Sequence, residues 1–236
     1  MDIGGMGFGF DLTYLLMLAP VLLFSFWASW RVKSNFQKYS EVHAQSRITG
    51  AEAAARILQM NGLGDVRIEQ GEGWLSDHYS PTERVIRLSP DVYSSSSVAA
   101  IGVAAHEAGH ALQHGRGYAV MALWQVLAKP AAIGSNFAYW IIIAGMLLSV
   151  TGLAWVGVAL FALVVLFQVV TLPLEFNASS RAKRFVVETG ILGRDEMYGV
   201  SKVLGAAAMT YVAAAASSLI TLLYFLIKLG VFSDRD

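Results

Sequence analysis

In this 236-residue chain the segment His106-Glu107-Ala108-Gly109-His110 has the residue types and the spacing to do chemistry. Two imidazoles four residues apart on a helix share one face and stand about 6 Å apart along the axis. From there each can give one ring nitrogen to a single ion at about 2.0–2.1 Å. They make half of a tetrahedral site. Glu107, about 100° further round the helix, is turned away from direct ligation but can reach a water at the ion's edge, as a general base must. A zinc-activated water deprotonated by Glu107 is a nucleophile for a peptide carbonyl. Gly109 costs about 1 kcal/mol relative to alanine inside a helix, which suggests close approach of another backbone. The chain has no cysteine, so thiolate sites, disulfides and cysteine nucleophiles are excluded and the metal must be held by His and carboxylates.

A third ligand is needed. His114 extends the four-residue series but stands about 12 Å up the axis from His106, too far to share the ion while the helix stays regular. It is assigned to a supporting role or to the substrate groove. His43 and His78 lie on elements that nothing in the sequence brings to this helix, although His78 could face the cleft from a strand and donate to a transition state. Glu175 is better placed, for a reason that comes from the rest of the chain.

The composition is 56% hydrophobic and 14% charged, too apolar for a purely soluble globule. The formal net charge is zero, which removes the basic footprint of a nucleic-acid binder. Leu12–Trp30 is free of charge over 19 residues, enough to cross a bilayer, with Tyr14, Trp27 and Trp30 near its ends. Without a basic leader or a small-x-small cleavage site it reads as a retained anchor. Between Lys129 and Glu175 lie 45 uncharged residues, two spans with a turn at 149–152, and Val203–Ile227 adds a fourth. The hairpin 130–174 must return the chain to the face it left, so Glu175 emerges at the same surface as the His106 helix. A carboxylate directly after Leu172-Pro173-Leu174 is costly there unless it is paired or on a metal.

Lys and Arg number nine in 31–118 and five in 173–204, against none in 1–11 or the 149–152 turn, which points to cytoplasmic placement of both polar segments. The basic cluster Arg181, Lys183 and Arg184 reads first as part of that bias, with an oxyanion contact by Arg181 as a second role. Within 31–118, Thr49-x-x-Glu52 followed by Asn61-Gly62 predicts a capped amphipathic helix, and 66–68, 74–79 and 84–89 predict short strands. The serines 94–97 offer caps for a helix over 98–114.

The motif His106-Glu-Ala-Gly-His110-Ala-Leu-Gln-His114, Asp77-His-Tyr-Ser-Pro-Thr-Glu-Arg84-Val-Ile-Arg-Leu88 before it and Leu174-Glu-Phe-Asn-Ala-Ser-Ser-Arg181-Ala182 after it resemble the bacterial YugP-type membrane zinc metallopeptidases. More distantly, the order of elements is similar to the gluzincin membrane proteases of the heat-shock HtpX and prenyl-processing Ste24 type. The resemblance implies His106, His110 and Glu175 as ligands of one Zn2+ per chain and Glu107 as the catalyst. It also implies a substrate-binding edge strand beside the motif helix, for which Val85, Ile86, Arg87 and Leu88 are the candidates. The distant relatives carry Asp four residues after the ligand Glu. Here that position is Ser179, so the carboxylate that would orient a histidine ring is missing.

The expectation is therefore a mainly α membrane protein of the bacterial inner membrane. It has four transmembrane helices and a small α+β zincin-like cytoplasmic domain, and it hydrolyses protein or peptide substrates at the membrane surface. His78, Tyr79 or Arg181 would steady the oxyanion. A non-catalytic membrane scaffold with a closed, structural zinc site is the rival. A metal transporter would carry ionisable residues within its spans, and the four runs have none.

Overall fold

A computed structural model describes residues 12–230 and is mostly helical, with one small sheet. In chain order the elements are α1 (Leu12–Ser40), α2 (Gly50–Met60), β1 (Arg67–Gln70), β2 (His78–Ser80), β3 (Val85–Leu88), α3 (Pro90–Tyr93), α4 (Val98–Gly115), α5 (Ala119–Leu147), α6 (Thr151–Glu188) and α7 (Met197–Lys228). Four of these, α1, α5, α6 and α7, are long and apolar enough to cross a membrane. Residues 1–11, which entered the charge-bias reading, lie outside the described residues.

The chain divides into two compact units, one of residues up to Trp27 with Leu127–Val169 and the residues from Val212, the other of Ala28–Val126 and Val170–Tyr211. In the first, small residues let backbones touch. A Cβ added at Gly145 of α5 would sit 2.3 Å from the Ala154 nitrogen of α6. Close backbone approach of this kind is how helices pack where lipid removes the hydrophobic drive between them. The connection between α5 and α6 turns through Ser149 at φ 53°, inside the predicted turn. Ile142, Val158 and Phe225 are buried together, while Phe137, Trp140 and Trp155 face outward.

The second unit is built around α4. Ser97 caps its start by accepting from the Ala100 N–H, and its Ala-rich face is fully buried. The capping box at α2 forms as its sequence predicts, with Thr49 and Glu52 bonding reciprocally. The sheet has the order β1-β3-β2, with β3 parallel to β1 and antiparallel to β2.

That order corrects the substrate-strand expectation. Val85, Ile86 and Arg87 are register partners of both neighbours, and Leu88 pairs with Gln70 and accepts from the Gly71 N–H. Val85, Ile86 and Leu88 have no accessible surface. A strand whose backbone groups are already paired on both sides has no ladder left for a substrate. The residues read from sequence as an edge are the middle of the sheet.

Several elements run further than the charge-free stretches. α1 continues past Trp30 to Ser40, because Phe36 and Tyr39 keep an apolar face that the second unit buries. α5 starts at Ala119, well before the uncharged run. The segment 175–202 comprises the end of α6, a turn through Gly190 at φ 66° and the start of α7.

Candidate metal centre

One turn of α4 presents His106 and His110 side by side, their Nε2 atoms 3.1 Å apart and their rings nearly perpendicular. Glu175 on α6 completes the group. Its Oε2 is 3.2 Å from His106 Nε2 and its Oε1 is 3.5 Å from His110 Nε2. The possible ligand atoms of these three residues all lie within 4.8 Å of one another. The side chains are 13%, 12% and 10% accessible, so they are largely withdrawn from water.

Gly109 is what lets the two helices meet. A Cβ there would stand 2.8 Å from the Ala178 carbonyl oxygen, so α6 passes directly over the glycine, one turn beyond Glu175. The backbone approach suggested by a glycine in a helix interior is this contact with α6.

Hydrogen bonds fix which ring nitrogens are free. Gln113 Nε2 donates to the Leu174 carbonyl at 2.8 Å and to Asn177 Oδ1 at 3.0 Å. A backbone carbonyl can only accept, so the amide nitrogen must face it and Gln113 Oε1 must face His110 Nδ1, 2.9 Å away. His110 therefore carries its proton on Nδ1 when neutral, and its Nε2 lone pair points at His106 and Glu175. Ser179 Oγ lies 3.2 Å from His106 Nδ1. The group expected to be missing is thus supplied by the serine hydroxyl itself, a shorter partner than aspartate brought within reach by the close packing of α6 on α4. Two imidazole nitrogens and a carboxylate, converging with their outer nitrogens held, fit a divalent cation such as zinc.

The site borders a cavity of about 160 Å3 whose lining includes Asp77, His78, Tyr79, Glu107, Trp124 and Tyr211. Glu107 is buried beside the two histidines. Burial pushes its carboxyl above the ordinary carboxylate value, and the neighbouring imidazoles only partly offset this. Burial likewise raises Asp77, whose carboxylate accepts from the Ser89 backbone N–H at 2.8 Å. For His110 burial acts downward, but the Glu175 and Glu107 carboxylates and Gln113 outweigh it and push the imidazole up to about 9.

The other sequence candidates are distributed unevenly. His78 and Tyr79 on β2 line the cavity. His78 is exposed, with Nδ1 on the Ser76 carbonyl at 2.8 Å, and the Tyr79 hydroxyl is hydrogen-bonded to His114 Nδ1 at 2.8 Å. His114 thus meets the cavity through Tyr79 and is not brought to the metal cluster. Arg181 is not brought to the cavity either. Its Nε donates to Asn177 Oδ1 at 2.7 Å and it lines a separate recess. His43 is bonded to Ser96.

Four contributors went unread in the sequence: Gln113, Asn177, Asp77 and Tyr211. Gln113 carried a usable signal, because it follows His110 by three residues on the same helix. Tyr211 lies on an apolar helix 36 residues beyond Glu175, and nothing local marked it.

The family described as "Putative neutral zinc metallopeptidase" matches residues 14–230. The chain belongs to that family. The motif helix, the sheet before it and the helix bearing Glu175 all fall within the matched region. Among curated proteins, the chain is 50% identical over 214 residues to the "Putative membrane protease YugP" of Bacillus subtilis (strain 168), covering 91% of this chain and 95% of the relative. No solved structure matches it.

Proposed function

We propose that this protein is a zinc-dependent membrane endopeptidase that hydrolyses peptide bonds, with His106, His110 and Glu175 holding the ion and Glu107 acting as general base and acid. The observation that carries this reading is the convergence of two imidazole nitrogens and a carboxylate beside a buried, unligated glutamate. When bound, zinc would supply Lewis acidity, lowering the pKa of a water and polarising a carbonyl.

The chain's own residues would do the rest. Glu107, with its carboxyl raised by burial, is suited to take a proton from the attacking water and return it to the departing amine. Gln113 and Ser179 hold the histidine rings in place, so that no reorientation is needed during the reaction. Tyr79 can donate to an oxyanion when its hydroxyl accepts from the His114 Nδ1–H, and His78 is the other donor on the cavity. With Nδ1–H spent on the Ser76 carbonyl, His78 can donate from Nε2 only when doubly protonated.

The substrate strand is reassigned to β2. Among the described residues it pairs only with β3, its residues His78 and Tyr79 line the cavity, and its outer edge can accept an extended peptide as a further strand. The small unit of sheet and helices is then a zincin-like domain. The excess of Lys and Arg in 31–118 and 173–204 supports a cytoplasmic site on a multi-pass protein of the bacterial inner membrane.

The scaffold alternative requires a closed, four-ligand site. Among the described residues the ligand group is three, and His114 and His78 are engaged elsewhere, which favours an open, catalytic position. The deciding experiment is peptide cleavage by purified, zinc-loaded protein. Glu107→Gln should retain the metal and lose hydrolysis. Full activity in that variant would overturn the mechanism.

A further inference from the structure

The second unit has another polar recess besides the metal cavity. It has a volume of about 200 Å3 and is lined by Arg116, Asn177, Ser180, Arg181 and Arg184. No carboxylate is among those residues.

The guanidinium groups are held mainly by amides and aromatic rings. Arg116 Nη2 donates to Asn61 Oδ1 at 2.6 Å, and its guanidinium carbon lies 5.8 Å from the centre of the Phe185 ring. Arg184 lies 4.7 Å from the same ring. Arg181 Nε donates to Asn177, and its guanidinium carbon is 5.8 Å from the Tyr118 ring. The one acid among these partners is Glu188, 3.5 Å from Arg184 in a pair whose side chains are each 55% accessible, and such an exposed pair neutralises little. Three like charges gathered around one recess repel each other, and an anion between them relieves that repulsion. Guanidinium forks match pairs of phosphate oxygens, and the Ser180 hydroxyl and Asn177 amide add neutral donors.

We propose that this recess is an anion site for a phosphate-type oxyanion, whether free phosphate or the headgroup of an anionic phospholipid. The inference rests on the recess alone and is independent of the peptidase reading. It reaches the metal centre through a short chain of bonds. Asn177 Oδ1 accepts from both Arg181 Nε and Gln113 Nε2, and Gln113 Oε1 accepts from His110 Nδ1. Arg181, on which the anion would draw, is therefore three hydrogen bonds from a proposed metal ligand.

The test uses full-length protein in uncharged detergent, titrated with inorganic phosphate by calorimetry in chloride buffer. It compares wild type with Arg116→Gln/Arg184→Gln and with Ser180→Glu. The Ser180→Glu change places a carboxylate at an exposed position on the recess and leaves every arginine in place. Phosphate should bind the wild type and weaken by about ten-fold or more in both variants. If the double variant fails to fold, Ser180→Glu decides. Repeating the titration in phosphatidylcholine nanodiscs with and without phosphatidylglycerol separates the two sources. Phosphate binding suppressed by phosphatidylglycerol assigns the recess to the lipid headgroup, and binding that persists assigns it to the free anion. Equal phosphate binding by wild type and Ser180→Glu, or none by either with no variant-dependent retention of phosphatidylglycerol, would overturn the proposal.

Discussion

The two units obey opposite packing rules. In the unit formed by the apolar parts of the four long helices, Phe137, Trp140 and Trp155 point outward, and close contact is made by glycine and alanine. In the unit that holds the candidate metal centre, large aliphatic residues such as Ile57, Ile86 and Leu112 point inward, and the buried polar side chains include Glu107, Gln113, Glu175 and Ser179. The first is what a chain does when its surroundings are as apolar as its interior, so that packing and backbone satisfaction replace hydrophobic burial. The second is an ordinary water-driven core in which Gln113, Glu175 and Ser179 each have a hydrogen-bonding partner. The candidate site sits in the second because a held imidazole or carboxylate needs a rigid, hydrogen-bonded shell around it.

The sharpest way to break this contrast is at the base. Glu107→Gln should lower kcat by about 10²–10⁴-fold with metal content unchanged, measured by peptide cleavage beside metal analysis. Gln113→Ala should weaken zinc binding by about 10–100-fold, because His110 loses the acceptor that fixes its tautomer, as competition with a chromogenic chelator would report. Glycine substitutions then compare the units directly. Gly109→Ala and Gly145→Ala each force a methyl into backbone, at a cost of about 1–3 kcal/mol. The first should cost zinc affinity and activity, whereas the second should lower the melting temperature and spare zinc binding. Loss of metal from both, or from neither, would end the distinction.

A smaller effect concerns pH. In the metal-free protein His110 is raised from the ordinary 6.5 to about 9. A raised folded-state value contributes stability that is complete below 6.5 and fades as pH climbs through 9. Metal-free protein should therefore melt at lower temperature at pH 9.5 than at pH 6. Zinc added at pH 7.5 should displace a proton, seen as a dependence of the binding heat on the buffer's ionisation enthalpy. The smallest change is expected at Gly205, where an added methyl meets nothing. Gly205→Ala should leave activity unchanged and stabilise by up to about 1 kcal/mol in thermal melts.

Much of the site could be read along the chain because its parts obey local geometry. Four-residue spacing puts His106 and His110 on one face of any regular helix, and Thr49 with Glu52 caps a helix whatever surrounds it. Length and lack of charge mark the long apolar helices, since the cost of burying charge in lipid does not depend on fold. Glu175 was legible for a less local reason, the geometry of a hairpin that has to come back.

What depends on distant contacts was not legible. Strand composition cannot say which strand takes the middle of a sheet, so Val85–Leu88 looked like an edge until β1 and β2 were seen on either side of it. Whether Ser179 could replace a carboxylate depended on how closely α6 packs at Gly109, and although the glycine announced a close approach it could not name the partner helix. Arg181 bonds Asn177 one turn back on its own helix, but the recess it lines is completed by Arg116 from beyond α4, which no local rule announces. Bonds within a turn are dictated by the chain's own stereochemistry. Bonds between elements wait on how the whole set of buried surfaces is satisfied at once, and that is where Gln113, Asn177 and Tyr211 acquired their places.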